Sequence, residues 1–181
     1  YKLMVVDAWM LKKGKLERAW RWDGDEENPV VRSMGAHSMV TADVDGDGRD
    51  EVMLGSCMLD DNGTLLWSSG LGHSDKAYLC KLHPDREGMQ VFMVSEPKKE
   101  DGRGVSVVDA ATGKLIWSIG HTTYHVGDGM VTDFDPAHPG LECFASEDRK
   151  GGSTDRYLLT ADGKKLQVAQ DEIPGCRNWI W

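Results

Sequence analysis

The chain has 181 residues, a formal charge of −9 and an ordinary globular composition, enough for one domain with its own core. It carries no block of lysine or arginine, which argues against a nucleic-acid partner or an acidic membrane surface, since both select clustered positive charge. No apolar run approaches the ~20 residues that cross a bilayer, and the N-terminus lacks the basic, apolar, small-residue order of a signal peptide.

Along the chain, a glycine-centred turn in KKGKL leads into RAWRWDGD, with Arg18, Trp20 and Trp22. The same kind of turn recurs in DNGTLLW, ATGKLIW and ADGKKL, so that Gly14, Gly63, Gly113 and Gly163 stand 49, 50 and 50 residues apart. A fixed period of this size signals repeats that each bury a face against the next. The runs between turns are short, β-branched or aromatic, and bounded by Gly, Asp and Asn, as in VSVVD (105–109), KLIWSI (114–119) and RYLLT (156–160). No stretch of a dozen residues has helical periodicity. The expected fold class is all-β, with about four strands per repeat, as in the blades of a β-propeller.

Arg177, Trp179 and Trp181 in RNWIW echo Arg18, Trp20 and Trp22 159 residues later. Closed propellers usually take about four to eight blades. Residues 1–181 are therefore expected to form a partial propeller domain, truncated at its C-terminal end and at its N-terminal end as well. The remaining blades of a longer polypeptide, or a second copy, would cover its open ends. Cys57, Cys80, Cys143 and Cys176 stand too far apart for a C-x-x-C site, and the first three lie in strand-like apolar runs, where a thiol behaves as a small hydrophobe.

The most specific local signal is Asp43-Val-Asp45-Gly-Asp47-Gly-Arg49-Asp-Glu51. Calcium takes about six to eight oxygens, and carboxylates at alternate positions around glycines can wrap one ion. Like charges crowded into so short a segment repel one another without a counter-ion. An EF-hand is excluded, because a strand-like VMLG run follows where a helix would be needed. The expected calcium ligands are Asp43, Asp45, Asp47, the backbone carbonyl of Arg49, and Glu51. Degenerate versions precede the next strands at residues 82–91 and 133–142, and Asp133 and Asp135 are candidate ligands in the latter.

Histidine exchanges protons or binds metals near neutral pH. His37, in Ser-Met-Gly-Ala-His-Ser-Met, and His73, in Gly-Leu-Gly-His-Ser-Asp, each stand at the entrance to a repeat's first strand. Equivalent positions of successive blades meet at one end of the axis, which makes His37 and His73 candidate catalytic residues, as proton carriers or metal ligands. Asp75 is placed to orient His73 or bind a cation. Asp75, together with His125 and Asp128 in the third repeat's HVGDGM, is a candidate substrate-binding residue, and His121 is expected to point toward the same face as His125, while His83 and His138 sit in turns. No nucleophile elbow, phosphate loop or dinucleotide fingerprint occurs.

Taken together, GAHSMVTADVDGDGRDEVMLG, LLWSSGLGHSDKAYLCKLHPDREGMQVF, VVDAATGKLIW and VGDGMVTDFDPAHPGLECFA resemble the family 11 polysaccharide lyases, the rhamnogalacturonan lyases, in order and over nearly the whole chain. The resemblance implies an eight-bladed, calcium-binding propeller, of which this chain would supply about three to four blades. It also implies cleavage of the rhamnogalacturonan backbone of pectin by β-elimination, outside the cytoplasm. His37 and His73 match histidines that the family places around its central cleft, and the terminal WIW resembles the start of its W-W-D-G-D segment. Asp128 departs from an arginine of some relatives, which puts a cationic role there in doubt. On this reading the segment by itself is inactive or very weakly active.

Two other functions share some of these features. D-x-D-G-D-G loops also mark non-catalytic calcium-binding propellers of carbohydrate binding or adhesion, against which the histidines count. Residues 109–117, DAATGKLIW, resemble the tryptophan-docking motif of quinoprotein dehydrogenases, and in the sequence that match is convincing only once.

Overall fold

In the computed structural model, residues 4–27, 31–148 and 151–173 are described. Thirteen strands and one helical turn, α1 (Gly24–Glu27), make up the regular structure of these residues. No helix among them is long and apolar enough to cross a membrane. Arg177, Trp179, Trp181 and Cys176 lie outside the described residues.

The chain opens with a two-stranded hairpin, β1 (Val5–Lys12) and β2 (Lys15–Asp23). A first four-stranded antiparallel meander follows: β3 (Gly35–Ala42), β4 (Glu51–Gly55), β5 (Cys57–Leu59) and β6 (Leu65–Ser68). A second comprises β7 (Ser74–Cys80), β8 (Gln90–Ser95), β9 (Val105–Asp109) and β10 (Leu115–Ser118). The two meet through their first strands at a single parallel bridge, Ala36 to Ser74. The third unit holds β11 (Val126–Thr132), β12 (Glu142–Glu147) and β13 (Arg156–Leu159), and an isolated bridge from Leu159 to Lys165 continues its pairing outward. Tyr78 of β7 donates to the Gly129 carbonyl of β11 at 2.8 Å, so the three first strands lie side by side.

Period-two alternation explains how the units stack. In β8, Val91 and Met93 enter the core shared with the first unit, while Phe92 and Val94 enter the core shared with the third. A strand buried on both faces reads as the continuous apolar run VFMV, residues 91–94, within QVFMVS. Deleting a buried aromatic such as Phe92 costs about 3–5 kcal/mol. Of the described cysteines, Cys57 and Cys143 are buried and Cys80 half-buried, all as free thiols. Burial pushes the Cys57 thiol up to about 12 and that of Cys80 to about 11, which keeps both as inert core groups.

The fifty-residue period has a physical cause. Trp20, Trp67 and Trp117 each donate an indole N–H to a carbonyl in the next unit's outer turn: Asp61 at 2.7 Å, Ala110 at 2.8 Å and Ala161 at 2.8 Å. Each ring lies flat against that turn's glycine, where a Cβ on Gly63, Gly113 or Gly163 would fall 2.5 to 2.6 Å from ring carbon Cδ2. The docking motif that the sequence displays convincingly once therefore occurs three times in the packing. It is a device for stacking units, and it carries no information about a quinone.

Candidate functional site

The backbone brings the predicted histidines together at the edge where the first strands meet. His37 lies inside β3, not ahead of it, while His73 precedes β7 by one residue and Asp75 sits in that strand. His37 Nε2 stands 3.4 Å from His73 Nε2 and 3.1 Å from Asp75 Oδ1. His73 Nε2 is also 3.1 Å from Glu96 Oε2. The other oxygen of Glu96 lies 3.3 Å from His125 Nε2, and His125 Nδ1 faces Asp148 Oδ1 at 3.2 Å. Gly127 stands where the last groups converge: a Cβ there would lie 3.2 Å from Asp75 Oδ2, 3.2 Å from His125 Nδ1 and 3.3 Å from Asp148 Oδ2. The glycine in VGDGM keeps that space open.

One hydrogen bond fixes the chemistry of the centre. His73 Nδ1 is 2.5 Å from the Gly35 carbonyl, which can only accept, so Nδ1 carries a proton. In the neutral ring, Nε2 then offers only a lone pair, and it faces the Glu96 carboxylate, which has only lone pairs. Two acceptors in contact require a second proton on the ring or a cation between them. A histidine that donates one N–H to a backbone carbonyl while presenting the other nitrogen is the usual arrangement of a metal ligand. Two ligands held at about 2.0–2.1 Å in tetrahedral geometry stand about 3.4 Å apart, the separation found between the two Nε2 atoms. His37, His73, Asp75 and Glu96 place their ligand atoms within 4.8 Å of one another.

Asp43, Asp45 and Glu51 form a second such group within 4.8 Å. Asp43 accepts from the N–H groups of Gly46 at 2.7 Å and Gly48 at 3.0 Å, and Asp45 accepts from Asp47 N–H at 3.1 Å. Asp47 accepts from Arg49 N–H at 2.8 Å, while the Arg49 side chain reaches out to Asp61. Glu51 is fully buried: Oε2 accepts from Val44 N–H at 2.7 Å, and the equally buried Oε1 has no hydrogen-bond partner. Burial, reinforced by Asp45, Asp47 and Asp43, pushes the Glu51 carboxyl above its usual range, and the Val44 bond pulls it partly back. A buried carboxylate oxygen with no donor, aimed among acids, fits a hard cation.

Asp133 and Asp135 belong to neither group. Asp135 is held by Ala137 N–H at 3.0 Å and His138 Nδ1 at 3.1 Å, and the Ala137 bond is the main cause of its lowered pKa. Asp128 is buried in β11, and its charge adds to burial in raising the Tyr78 phenol. His121 pairs with Tyr157 and His83 with Asp162, outside the cluster.

Sequence reasoning missed Glu96 and Asp148. The signal that finds them is the repeat: six residues after the equivalent strand-starting residues Glu51, Gln90 and Glu142 come Cys57, Glu96 and Asp148. The polar side chains of this series thus occur in the second and third units only, beside the histidines.

The model of the C-terminal domain of rhamnogalacturonan lyase family 11 matches residues 1–181. The chain is 41% identical over 182 residues to the rhamnogalacturonan endolyase YesW of Bacillus subtilis, covering 99% of this chain and 27% of that protein. It is 34% identical over 183 residues to the rhamnogalacturonan exolyase YesX of the same organism, covering all of this chain and 29% of that protein. The solved structure of YesX superposes with a TM-score of 0.82 over 92% of this chain and 28% of that one, at 34% identity. The Bacillus licheniformis rhamnogalacturonan lyase PL11 does so with 0.79 over 91% and 26%, at 37% identity. The chain thus spans less than a third of the length of these relatives. With a model of the family's C-terminal domain matched along its full length, the chain belongs to rhamnogalacturonan lyase family 11, as part of that domain.

Proposed function

We propose that this chain forms part of the cleft of a calcium-dependent rhamnogalacturonan lyase that cleaves the pectin backbone by β-elimination. Its three stacked units and the opening hairpin are read as consecutive blades of a β-propeller, with the first strands innermost. The observation that carries the reading is the His37–His73 pair, closed by Asp75 and Glu96 where those strands meet. The relatives' names give the reaction and the polymer.

In β-elimination a base removes the proton α to the uronate carboxylate, the oxygen on the β carbon departs, and a carbon–carbon double bond forms. Charge accumulates on the carboxylate as the proton leaves, and fixed positive charge there lowers the barrier. A divalent cation held by His37, His73, Asp75 and Glu96 would supply that Lewis acidity. The Gly35 carbonyl fixes the His73 ring so that Nε2 faces the centre. Glu96 Oε1 and Asp148 Oδ1 stand 3.3 Å and 3.2 Å from the two ring nitrogens of His125, which lies along the same edge. Calcium is assigned to the Asp43–Glu51 loop, where it would tie the first unit together and contribute folding energy. A polymeric substrate fits an enzyme that works outside the cytoplasm.

The test follows the absorbance of unsaturated uronate from rhamnogalacturonan in the whole enzyme, with and without a chelator, and in His37→Ala and His73→Ala variants. Cation-dependent product that falls by about a hundredfold or more in folded variants is expected, as for loss of a group that stabilises the transition state. Absence of product from folded, calcium-loaded wild-type enzyme would leave a non-catalytic binding propeller instead.

A further inference from the structure

The three carboxylates around the histidines, Asp75, Glu96 and Asp148, outweigh the charge of one divalent cation, and the excess repels a uronate polymer. A substrate carboxylate needs positive charge at that edge, and two neighbouring lysines approach it. Lys98 is already committed: its ammonium pairs with Glu100 at 2.6 Å and lies 5.4 Å from the centre of the Tyr124 ring. Lys99 is different. Its backbone is pinned on both sides, its N–H donating to the Thr123 carbonyl at 2.9 Å and its carbonyl accepting from Thr123 N–H at 3.0 Å.

That pairing holds two short segments together, one carrying Glu96 and Lys99, the other Thr123 and His125. Lys98 reaches the Tyr124 ring, whereas Lys99 reaches Gly72. Its ammonium rests against Gly72, the residue before His73, and a Cβ on Gly72 would come within 3.3 Å of Nζ. Lys99 is half-buried and forms no ion pair among the described residues. A partly desolvated ammonium without an acid partner is costly for the folded chain, and it makes a strong point-charge site for an incoming anion.

We propose that Lys99 anchors the carboxylate of the galacturonate unit beside His73, with Gly72 leaving room for its ammonium. Lys99 is then a specificity residue, selecting an acidic sugar over a neutral or esterified one. This rests on the lyase reading of the same cleft.

The whole enzyme carrying Lys99→Met, which keeps the stem without the charge, or Lys99→Arg, which keeps the charge, tests it. Cleavage of rhamnogalacturonan oligosaccharides is compared with cleavage of their uronate methyl esters, and calorimetry measures binding of a galacturonate–rhamnose disaccharide and its methyl ester. Lys99→Met is expected to raise KM for the acid substrate by about tenfold to a hundredfold, the loss of one charge-assisted hydrogen bond. The ester should be unaffected, and Lys99→Arg should recover most of the affinity. Equal losses on acid and ester, or no loss on either, overturn the assignment. Calorimetry separates the two proposals. A preference of wild type for the acid disaccharide that vanishes in Lys99→Met upholds the anchor even without cleavage. A cleaving enzyme whose preference ignores Lys99 upholds the lyase and removes the anchor.

Discussion

The loops that lead into β4 and β8 differ by one chemical group at their most buried point. Glu51 and Gln90 each open the second strand of a unit, at 0% and 1% exposure; Glu51 accepts one backbone N–H from the loop ahead and Gln90 accepts two. Gln90 has an amide nitrogen as well, which donates to the Gly88 carbonyl at 3.1 Å and completes its bonding within the protein. Glu51 has a second oxygen in that place, buried and without a partner, beside Asp43 and Asp45. One loop therefore closes on itself and the other is left with negative charge to neutralise. Glu142, at the same position of the third unit, repeats the glutamate pattern: Oε2 accepts from Phe134 and Asp135 N–H, and Oε1 has no hydrogen-bond partner. On the calcium reading, the first loop differs from the second in one buried residue, Glu51 against Gln90, and from the third in the carboxylates of Asp43 and Asp45 gathered beside that residue.

The sharpest way to break the comparison is to unfold the protein with and without calcium. With calcium at about a thousandfold its dissociation constant, the protein is expected to gain about 4 kcal/mol over the chelated form in urea unfolding. An Asp43→Ala, Asp45→Ala variant should lose that gain. Acidity provides a second handle on the same site. Because the folded-state pKa of Glu51 is raised, its contribution in chelated protein is complete below the ordinary carboxylate range and is lost as pH rises through the raised value. Stability of the chelated protein should thus fall towards neutral pH, and calcium should abolish the fall.

Exchanging the two buried residues sharpens the comparison at smaller amplitude. Glu51→Gln should stabilise the chelated protein by about 1 kcal/mol and flatten its pH dependence, because an amide carries no charge to desolvate. Gln90→Glu should destabilise by about 1–3 kcal/mol in calcium and chelator alike, since it sets a carboxylate oxygen against the Gly88 carbonyl. Thermal unfolding in both media distinguishes these outcomes. The smallest effect belongs to Arg49→Ala. Its guanidinium is raised in pKa by hydrogen bonding to Asp61, but it is solvent-exposed, and its loss should leave the melting temperature unchanged within error.

Much of this was legible in the residues. Short β-branched and aromatic runs such as VSVVD, KLIWSI and RYLLT, with the fifty-residue spacing of turn glycines, pointed to an all-β chain of stacked units, because both are local consequences of strand geometry. The acidic loop and the two histidines were equally visible, since spacing alone marks an oxygen-rich turn and a residue at the entrance to a repeat. Glu96 and Asp148 were not, because each sits at the end of a strand whose sequence reads as core. Their partners lie 23 or more residues away, His73 for Glu96 and His125 for Asp148. The triple tryptophan docking was hidden too, because only one of its three turns resembles the known motif.

By itself the sequence determined strands, turns, the repeat and the chemistry available in each loop, since these depend on neighbours along the chain. Tertiary structure decided which of those groups meet. The side-by-side first strands bring Asp75, His37, His73, Glu96, His125 and Asp148 into one line, and strand depth leaves one oxygen of Glu51 without a donor while Gln90 satisfies itself. Proximity across units and desolvation are properties of the packed state, and no spacing within a single repeat encodes them.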